Sequence, residues 1–399
     1  MALMPAETAL ARVLEGIPQP SEEIVAIAQA IGRVLTRDLA AKLTQPPFNA
    51  SAMDGYAIYG AGPASPGDRW TVVGEAAAGS AFSGTVGPGE AVRIFTGAPV
   101  PATCGTVVIQ ENVTRDGDAL VADQPTQGGA NIRYAGNDFA EGDVLLPRGH
   151  RLDAHSATLA AAMGHGELAV ARRPVVAILA TGDELVPPGT PPGPDQIVSS
   201  NPVGLAALVA QAGGLPRDLG IAPDRKDALA ERIAHAGDAD VLVTIGGASV
   251  GDHDLVGPVL KEQGLDLSFW KIAMRPGKPL MFGRLGERRV LGLPGNPVSA
   301  LITARVFLIP LIRALQGETP EARVPETAIL AAPLEANGPR LHLMRGKLGR
   351  RADGALTVTA MTSQDSSLLS ALARSDCLIR RMADAPALSA GEPVEIERL

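Results

Sequence analysis

The sequence is poor in cysteine, in aromatics and in positive charge, and each shortage removes a class of protein. Only Cys104 and Cys377 occur in 399 residues. Two thiols so far apart match no metal-ligand spacing and supply no disulfide framework, so the chain is expected in a reducing cytoplasm. Aromatics make up 3% of the residues, so the cores must be built from Ala, Val, Leu and Ile. The formal net charge of −8 argues against nucleic acid, which selects a basic face, and against an anionic membrane surface. An anionic ligand would need a local cluster of donors working against the overall field. A long uncharged apolar run is also missing. The most apolar stretch, PVSALITARVFLIPLIRAL, contains Arg305, Pro310 and Arg313 and reads as a buried helix rather than a span. The first residues carry Glu7 and no long apolar segment, unlike a secretory signal.

What is present is a chain too long for one ordinary core. PAETALARVLEG and SEEIVAIAQAIGRVL both show helical spacing, the second with Ser21 as its cap and Glu22 and Glu23 in its first turn. From TQPPFNASAMDGYAI to about Leu146, short apolar runs divided by Gly, Pro and Asp predict a small β domain. GHRLDAHSATLAAAMG returns to helix and is expected to pack on the first helices. From Pro174 onward, strands and helices alternate, beginning with PVVAILATG and NPVGLAALVAQAGG. That order predicts a parallel sheet with helices on both faces. After QGETPEARVPE the pattern is strand and turn again, a last β domain or barrel. The expected domains are a helical or linker domain (1–45 with 135–170), a β-rich domain (46–134), an α/β domain (171–316) and a C-terminal β domain (317–399).

Open α/β sheets bind ligands past the carboxyl ends of their strands. Three glycine-containing turns are predicted there: ATGDEL, TIGGASVGDHDL and LPGNPVSA. The last two lead into helices whose first amides are expected to point free, and such amides hold phosphate without net positive charge. Asp183, Glu184, Asp252 and Asp254 stand beside these turns. Carboxylates there would repel a phosphate unless a cation intervened, and Mg²⁺ fits, since it takes a few carboxylates and completes its shell with phosphate oxygens and water. His253 has no second histidine nearby and reads as an exposed neighbour. Asp240 opens its strand, where a turn acid is also ordinary. A fourth stretch, WKIAMRPGKPLMFG, gathers Lys271, Arg275 and Lys278 around Pro276 and Gly277; the heads of Lys271 and Arg275 can converge on an anion there, the alternative being a solvated basic turn.

NASAMDGYA, IFTGAPVP, TGDEL, GGASVGDHD, MRPGKP and GLPGNPVSA occur in that order. Together they resemble the molybdopterin molybdenumtransferase (MoeA) family, related to the E domain of gephyrin, over nearly the whole chain. The resemblance implies an elongated four-domain homodimer whose α/β domain binds molybdopterin. It also implies the last step of molybdenum cofactor synthesis, in which adenylylated molybdopterin and molybdate give the cofactor and AMP with Mg²⁺. It assigns Glu184, Asp240 and Asp254 to the metal and the chemistry. Asp54, Thr96 and Asp138 join as catalytic residues facing the α/β domain of the other chain. Gly246, Gly247, Ser249 and Gly251, with Asn296 and Pro297, would bind the phosphate or pterin part of the substrate. Lys271 and Arg275 are the candidates for molybdate, with Arg345 of LMRGKL and Ser366 from the last domain. Three positions depart from the family pattern: Asn137 replaces Glu, Arg275 replaces Lys, and Asp365 places a negative charge beside Ser366. The alternatives are a gephyrin-like scaffold, with other cofactor-synthesis proteins as partners, and an enzyme of the same fold handling tungstate. Molybdate and tungstate share charge and nearly share size.

Overall fold

The computed structural model describes residues 3–246, 255–319 and 325–399. The chain divides into two compact units. One comprises Met1–Glu23, Gly32–Thr36 and Val170–Leu399, the other Ile24–Ile31 and Arg37–Ala169.

The first unit is built on a six-stranded sheet in the order Leu215–Ala222, Val175–Thr181, Val241–Ile245, Arg288–Leu293, Met281–Leu285, Asp266–Trp270. The strands at 175–181, 215–222, 241–245 and 288–293 run parallel. Val176 and Ile178 enter one core with Leu205, Val209 and Ile302, while Ala177 and Leu179 enter another with Leu229, Ile233 and Val259. Successive side chains of a strand point to opposite faces. Because helices cover both faces, the strand reads as one continuous apolar run rather than an alternating one. Each fully buried aliphatic side chain contributes about 1.5–3 kcal/mol.

The parallel core is as expected, and at one edge it continues into two further strands of mixed direction. Met281–Leu285 pairs antiparallel with Arg288–Leu293, and Asp266–Trp270 antiparallel with Met281–Leu285. The signal for the first pairing was a two-residue turn, Gly286-Glu287, with Gly286 at φ 61°, a conformation that hairpin turns draw from glycine.

The apolar stretch Pro297–Leu315 is helical, and among the described residues it alone is long and apolar enough to cross a membrane. It is packed in the core, with Val298, Ile302, Phe307, Leu308, Leu311 and Ile312 buried. A π-turn at Ala304–Leu308 precedes Pro310. Proline lacks the N–H that the regular ladder would use, and the wider turn accommodates that gap.

Helix Ala6–Leu14 buries Ala6, Ala9 and Val13 in the same core as Leu308 and Ile312. It therefore belongs to the α/β unit rather than with residues 135–170. The expected second helix is absent as well. Glu22–Ala26 is a strand pairing with Glu167–Ala171, followed by a single 3₁₀ turn, Ile27–Gln29. Ile24 and Ile31 are more than half exposed, so the helical spacing of apolar residues did not mark a buried face.

The C-terminal strands close into a barrel. The order is Leu341–Arg350, Leu356–Ala360, Glu326–Leu330, Pro393–Arg398, Cys377–Arg381, and the last pairs back with the first. Met274–Arg275 adds to Leu341–Arg350 in parallel. The barrel core holds Ala328, Leu330, Val358, Cys377, Ile379, Val394 and Ile396.

The second unit has its own six-stranded sheet, ordered Cys104–Ile109, Gly55–Tyr59, Glu90–Ile94, Arg69–Ala76, Ala119–Ala122, Val113–Asp116. Its two faces alternate strictly, with Ala57 and Val107 on one and Tyr56, Ile58 and Val108 on the other. Helix Ala154–Ala162 is fixed by a capping box, in which Asp153 and Ser156 each satisfy the other's backbone amide. Both cysteines are free and buried, and burial lifts each thiol to about 11, which makes them inert.

Candidate active site

Strand Val175–Thr181 lies between Leu215–Ala222 and Val241–Ile245. The chain leaves it to one side and returns on the other, and that reversal opens a crevice beyond the carboxyl ends. Gly246 stands in the crevice at φ 90°, and a Cβ there would lie 2.9 Å from the Thr181 carbonyl oxygen and 3.0 Å from its hydroxyl. Only glycine permits this conformation and approach. At Gly182, φ 147°, a Cβ would fall 2.4 Å from Glu184 Oε2, so the Glu184 carboxylate folds back over its own turn. Asp183 Oδ1 accepts from the Asp224 amide at 3.0 Å, which ties this turn to the one after Leu215–Ala222. Three acids thus stand together at the carboxyl edge: Asp183, Glu184 and Asp224. Asp224 is a site residue that the motifs of the sequence do not mark. Its signal was its place directly after a parallel strand.

The third glycine turn closes the other side of the crevice. The Gly246 amide donates to Leu293 O, and Asn201 Nδ2 donates to Gly295 O at 2.6 Å. Asn201, at the first turn of its own helix, is a second residue that sequence reasoning passed over. Asn296 Nδ2 donates to Ser366 Oγ at 2.9 Å, Pro297 has no N–H to give, and the Val298 amide donates to Ser366 O at 3.1 Å. The helix start expected to offer free amides to phosphate therefore has its first amide engaged by a barrel loop.

That loop also engages Arg345. The side chain is 1% exposed. Its Nε donates to Gln364 Oε1, Nη1 to Asp365 O at 2.7 Å and Nη2 to Ser363 O. Arg345 thus scaffolds the segment that carries Ser366. Asp365 is absorbed in the same way. Its Oδ1 accepts from both the amide and the hydroxyl of Ser367 at 2.8 Å, and these bonds hold its carboxyl below the usual range.

Asp240 requires the plainest correction. Its Oδ1 accepts from Arg172 Nη2 and its Oδ2 from the Val175 amide, both at 2.7 Å. It precedes Val241–Ile245 and so lies at the amino edge of the sheet. Five strand residues, about 16 Å at ~3.3 Å each, separate it from the edge that carries Glu184. Both its oxygens serve the entry of the neighbouring strand.

Asp266–Trp270 runs in the same direction as the four parallel strands, so Lys271 emerges on the carboxyl edge too. It is four strand positions from Val175–Thr181, about 19 Å at ~4.8 Å per strand. Lys271 is held at φ 135°, uncommon for a side-chain-bearing residue, with its amide bonded to Leu280 O. Arg275 is exposed and pairs in register with His342 of the barrel. A Cβ on Gly277, φ 103°, would lie 2.3 Å from Thr303 Oγ1. The basic turn is therefore pressed on the helix whose first residues meet Ser366.

In the second unit, Asp54 Oδ1 accepts from both the amide and the hydroxyl of Thr96 at 2.8 Å. Those bonds, with Arg93 nearby, hold the Asp54 carboxyl low. Asp138 lies on an exposed turn anchored by its amide to Gln45 O at 3.0 Å. Gly247, Ser249, Gly251 and Asp254, with Asp252 and His253, lie outside the described residues.

Among the described residues no three acidic, imidazole or thiol groups converge as a complete metal site. Mg²⁺ does not demand one, since one or two carboxylates with substrate phosphates suffice. Glu184 fits that requirement, being exposed at the crevice and folded over Gly182, whereas Asp240 does not.

Residues 4–164 match the MoeA N-terminal region (domain I and II), residues 177–314 a probable molybdopterin binding domain, and residues 327–399 the MoeA C-terminal region (domain IV). A molybdopterin molybdenumtransferase of Haemophilus influenzae is 36% identical over 398 residues, covering 98% of this chain and 97% of that protein. Molybdopterin molybdenumtransferase 2 of Mycobacterium tuberculosis is 36% identical, covering 93% and 94%. A crystal structure of a molybdopterin biosynthesis MoeA protein from Pyrococcus horikoshii covers 100% of both chains with a TM-score of 0.84 at 27% identity.

Proposed function

The chain belongs to the MoeA family of molybdopterin molybdenumtransferases, and on that premise we propose that it inserts molybdate into adenylylated molybdopterin with release of AMP. The observation that carries this reading is the order of charge along one sheet edge. Asp183, Glu184 and Asp224 stand at the crevice, and Lys271 and Arg275 lie at the far end. A substrate whose pyrophosphate needs a cation at one place, and whose dithiolene meets an oxyanion at another, matches that polarity.

Mg²⁺ is the proposed cation, held by Glu184 with Asp183 and Asp224 beside it. When bound, it neutralises phosphate oxygens where the bond to AMP breaks. Gly246 lets the substrate approach the backbone, and Asn201 and Asn296 hold the adjoining turn in place. Lys271 and Arg275 supply the positive charge that a compact dianion needs in an acidic protein, with the Ser366 hydroxyl as a further contact. Asp54, Thr96 and Asp138 complete the reaction from the second protomer of a homodimer. Two inert buried thiols suit a cytoplasmic setting.

The test is AMP release from adenylylated molybdopterin by the purified protein. Release should require molybdate and Mg²⁺, with tungstate as a parallel arm. A protein that binds the adenylylated pterin and never releases AMP with either oxyanion would refute the proposal.

A further inference from the structure

Asp54 and Thr96 sit on two separate turns of the second unit, and one guanidinium joins the residues that flank them. Arg93, on strand Glu90–Ile94, lies in register with Tyr56. Its Nη1 donates to Gly55 O at 3.1 Å and its Nη2 to Gln110 Oε1 at 2.6 Å. Its Cζ is 5.0 Å from the centre of the Tyr56 ring and 4.8 Å from that of Phe95. The Gln110 amide in turn donates to Asp54 O at 3.1 Å. Among the described residues no carboxylate pairs with Arg93. Glu75, its in-register neighbour on Arg69–Ala76, is exposed, and Glu111 takes the Gln110 Nε2 at 3.1 Å. Arg115 lies 6.0 Å from the Tyr56 ring.

We infer that Arg93 is the positioning residue that sets the Asp54–Thr96 pair for the reaction, an inference that rests on the function proposed above. Gly55 and Tyr56 directly follow Asp54, and Phe95 directly precedes Thr96. A shift of either turn therefore breaks a contact with the same side chain. The sheet has no need of this clamp, because the backbone ladder already pairs Gly55–Ile58 with Ala91–Ile94. What the ladder leaves free is the two turns beyond it, and those carry Asp54 and Thr96. Only a planar fork serves all four partners, giving two bonds in its plane while its cation meets two aromatic rings. A lysine in its place offers a point charge and a single directed bond. With no carboxylate to neutralise it, the Arg93 charge also favours the ionised form of Asp54, adding to the two bonds from Thr96.

The experiment compares wild type, Arg93→Gln and Arg93→Lys as full-length proteins. One arm follows AMP release from adenylylated molybdopterin across pH, with saturating molybdate and Mg²⁺. The other follows hydrogen exchange of segment 94–98, which contains the Thr96 amide. Misplacing a reacting group by about 1 Å costs up to ~100-fold, so both variants should lose roughly ten- to a hundredfold in kcat while KM for the adenylylated pterin changes little. Exchange should quicken in both. The acid limb of the rate profile should move to higher pH in Arg93→Gln and stay in place in Arg93→Lys, which keeps the charge. A wild-type kcat in Arg93→Gln would overturn the inference, as would full recovery of kcat by Arg93→Lys, since charge alone would then suffice. So would a fall in kcat with unchanged exchange, or one equal at every pH in Arg93→Gln that merely follows a lowered melting temperature. A wild type that releases no AMP sinks the functional reading instead, and the exchange arm then decides whether Arg93 holds the pair.

Discussion

Acid should weaken this protein through one buried imidazole. His342 lies on strand Leu341–Arg350, between Arg275 on one neighbouring strand and Arg381 on the other. It is 7% exposed. Leu341 and Leu343 face the α/β core, while Met344 packs against the barrel core, so the alternation of the strand turns His342 towards the barrel as well. Burial first, and then Arg275, Arg340, Arg345 and Arg381, push the imidazole down from 6.5 to about 4. The folded state therefore binds this proton less well than the unfolded state. The neutral ring's stability is fully present above 6.5 and is lost as pH falls from there towards 4. The gap of about 2.5 pH units corresponds to about 3 kcal/mol in all. Between pH 7 and pH 5 the expected loss is about 2 kcal/mol. Urea unfolding at pH 7, 6 and 5, on the wild type and His342→Gln, reads it directly. The wild type should lose its advantage over the variant as the pH falls. A stability difference that stays constant across that range would show that His342 does not titrate in this window, and the reasoning would fail.

The remaining predictions concern the two ends of the sheet and the oxyanion. Asp240→Asn should cost about 1–3 kcal/mol of stability, because Arg172 and the Val175 amide lose a charged acceptor. It should leave the Mg²⁺ dependence of AMP release unchanged, whereas Glu184→Gln should raise the Mg²⁺ needed; a Mg²⁺ titration of both variants separates them, and a shift with Asp240→Asn would refute the placement. Arg275→Ala should raise the molybdate concentration for half-maximal insertion by roughly ten- to a hundredfold, the effect of one charge-assisted bond. Affinity for the adenylylated pterin should change much less, and an equal loss of both would make Arg275 a phosphate or folding residue. At a Mg²⁺ concentration too low to sustain the Glu184→Gln homodimer, mixed dimers of Asp54→Ala and Glu184→Gln chains should recover part of the activity, and verified heterodimers without recovery would argue against a site shared between protomers.

Much of the molecule was written in local pattern. PVVAILATG had to be a strand covered on both faces, because only that setting hides every one of its side chains. Strand-and-helix alternation after Pro174 set the parallel core and put ATGDEL at a carboxyl end. The turns containing Gly182 and Gly246 announced close backbone approach, and the geometry at both positions requires glycine. Even the place of Asp240 was legible: an acid before a parallel strand stands at the amino edge, and one after it, like Asp224, stands at the site. Partners distant in the chain were not legible. No periodicity reveals that Ser366 caps the helix starting at Pro297, that Arg345 spends its donors on the loop carrying Ser366, or that helix Ala6–Leu14 packs beside Leu308. The apolar spacing of SEEIVAIAQAIGRVL pointed to a helix, yet Ile24 and Ile31 stay exposed and the strand's pairing partner lies more than a hundred residues away. Residue order fixes direction, burial and turn chemistry, since those depend on neighbours a few positions apart. Which donor meets which acceptor depends on where distant segments come to rest, and only the packed chain decides that.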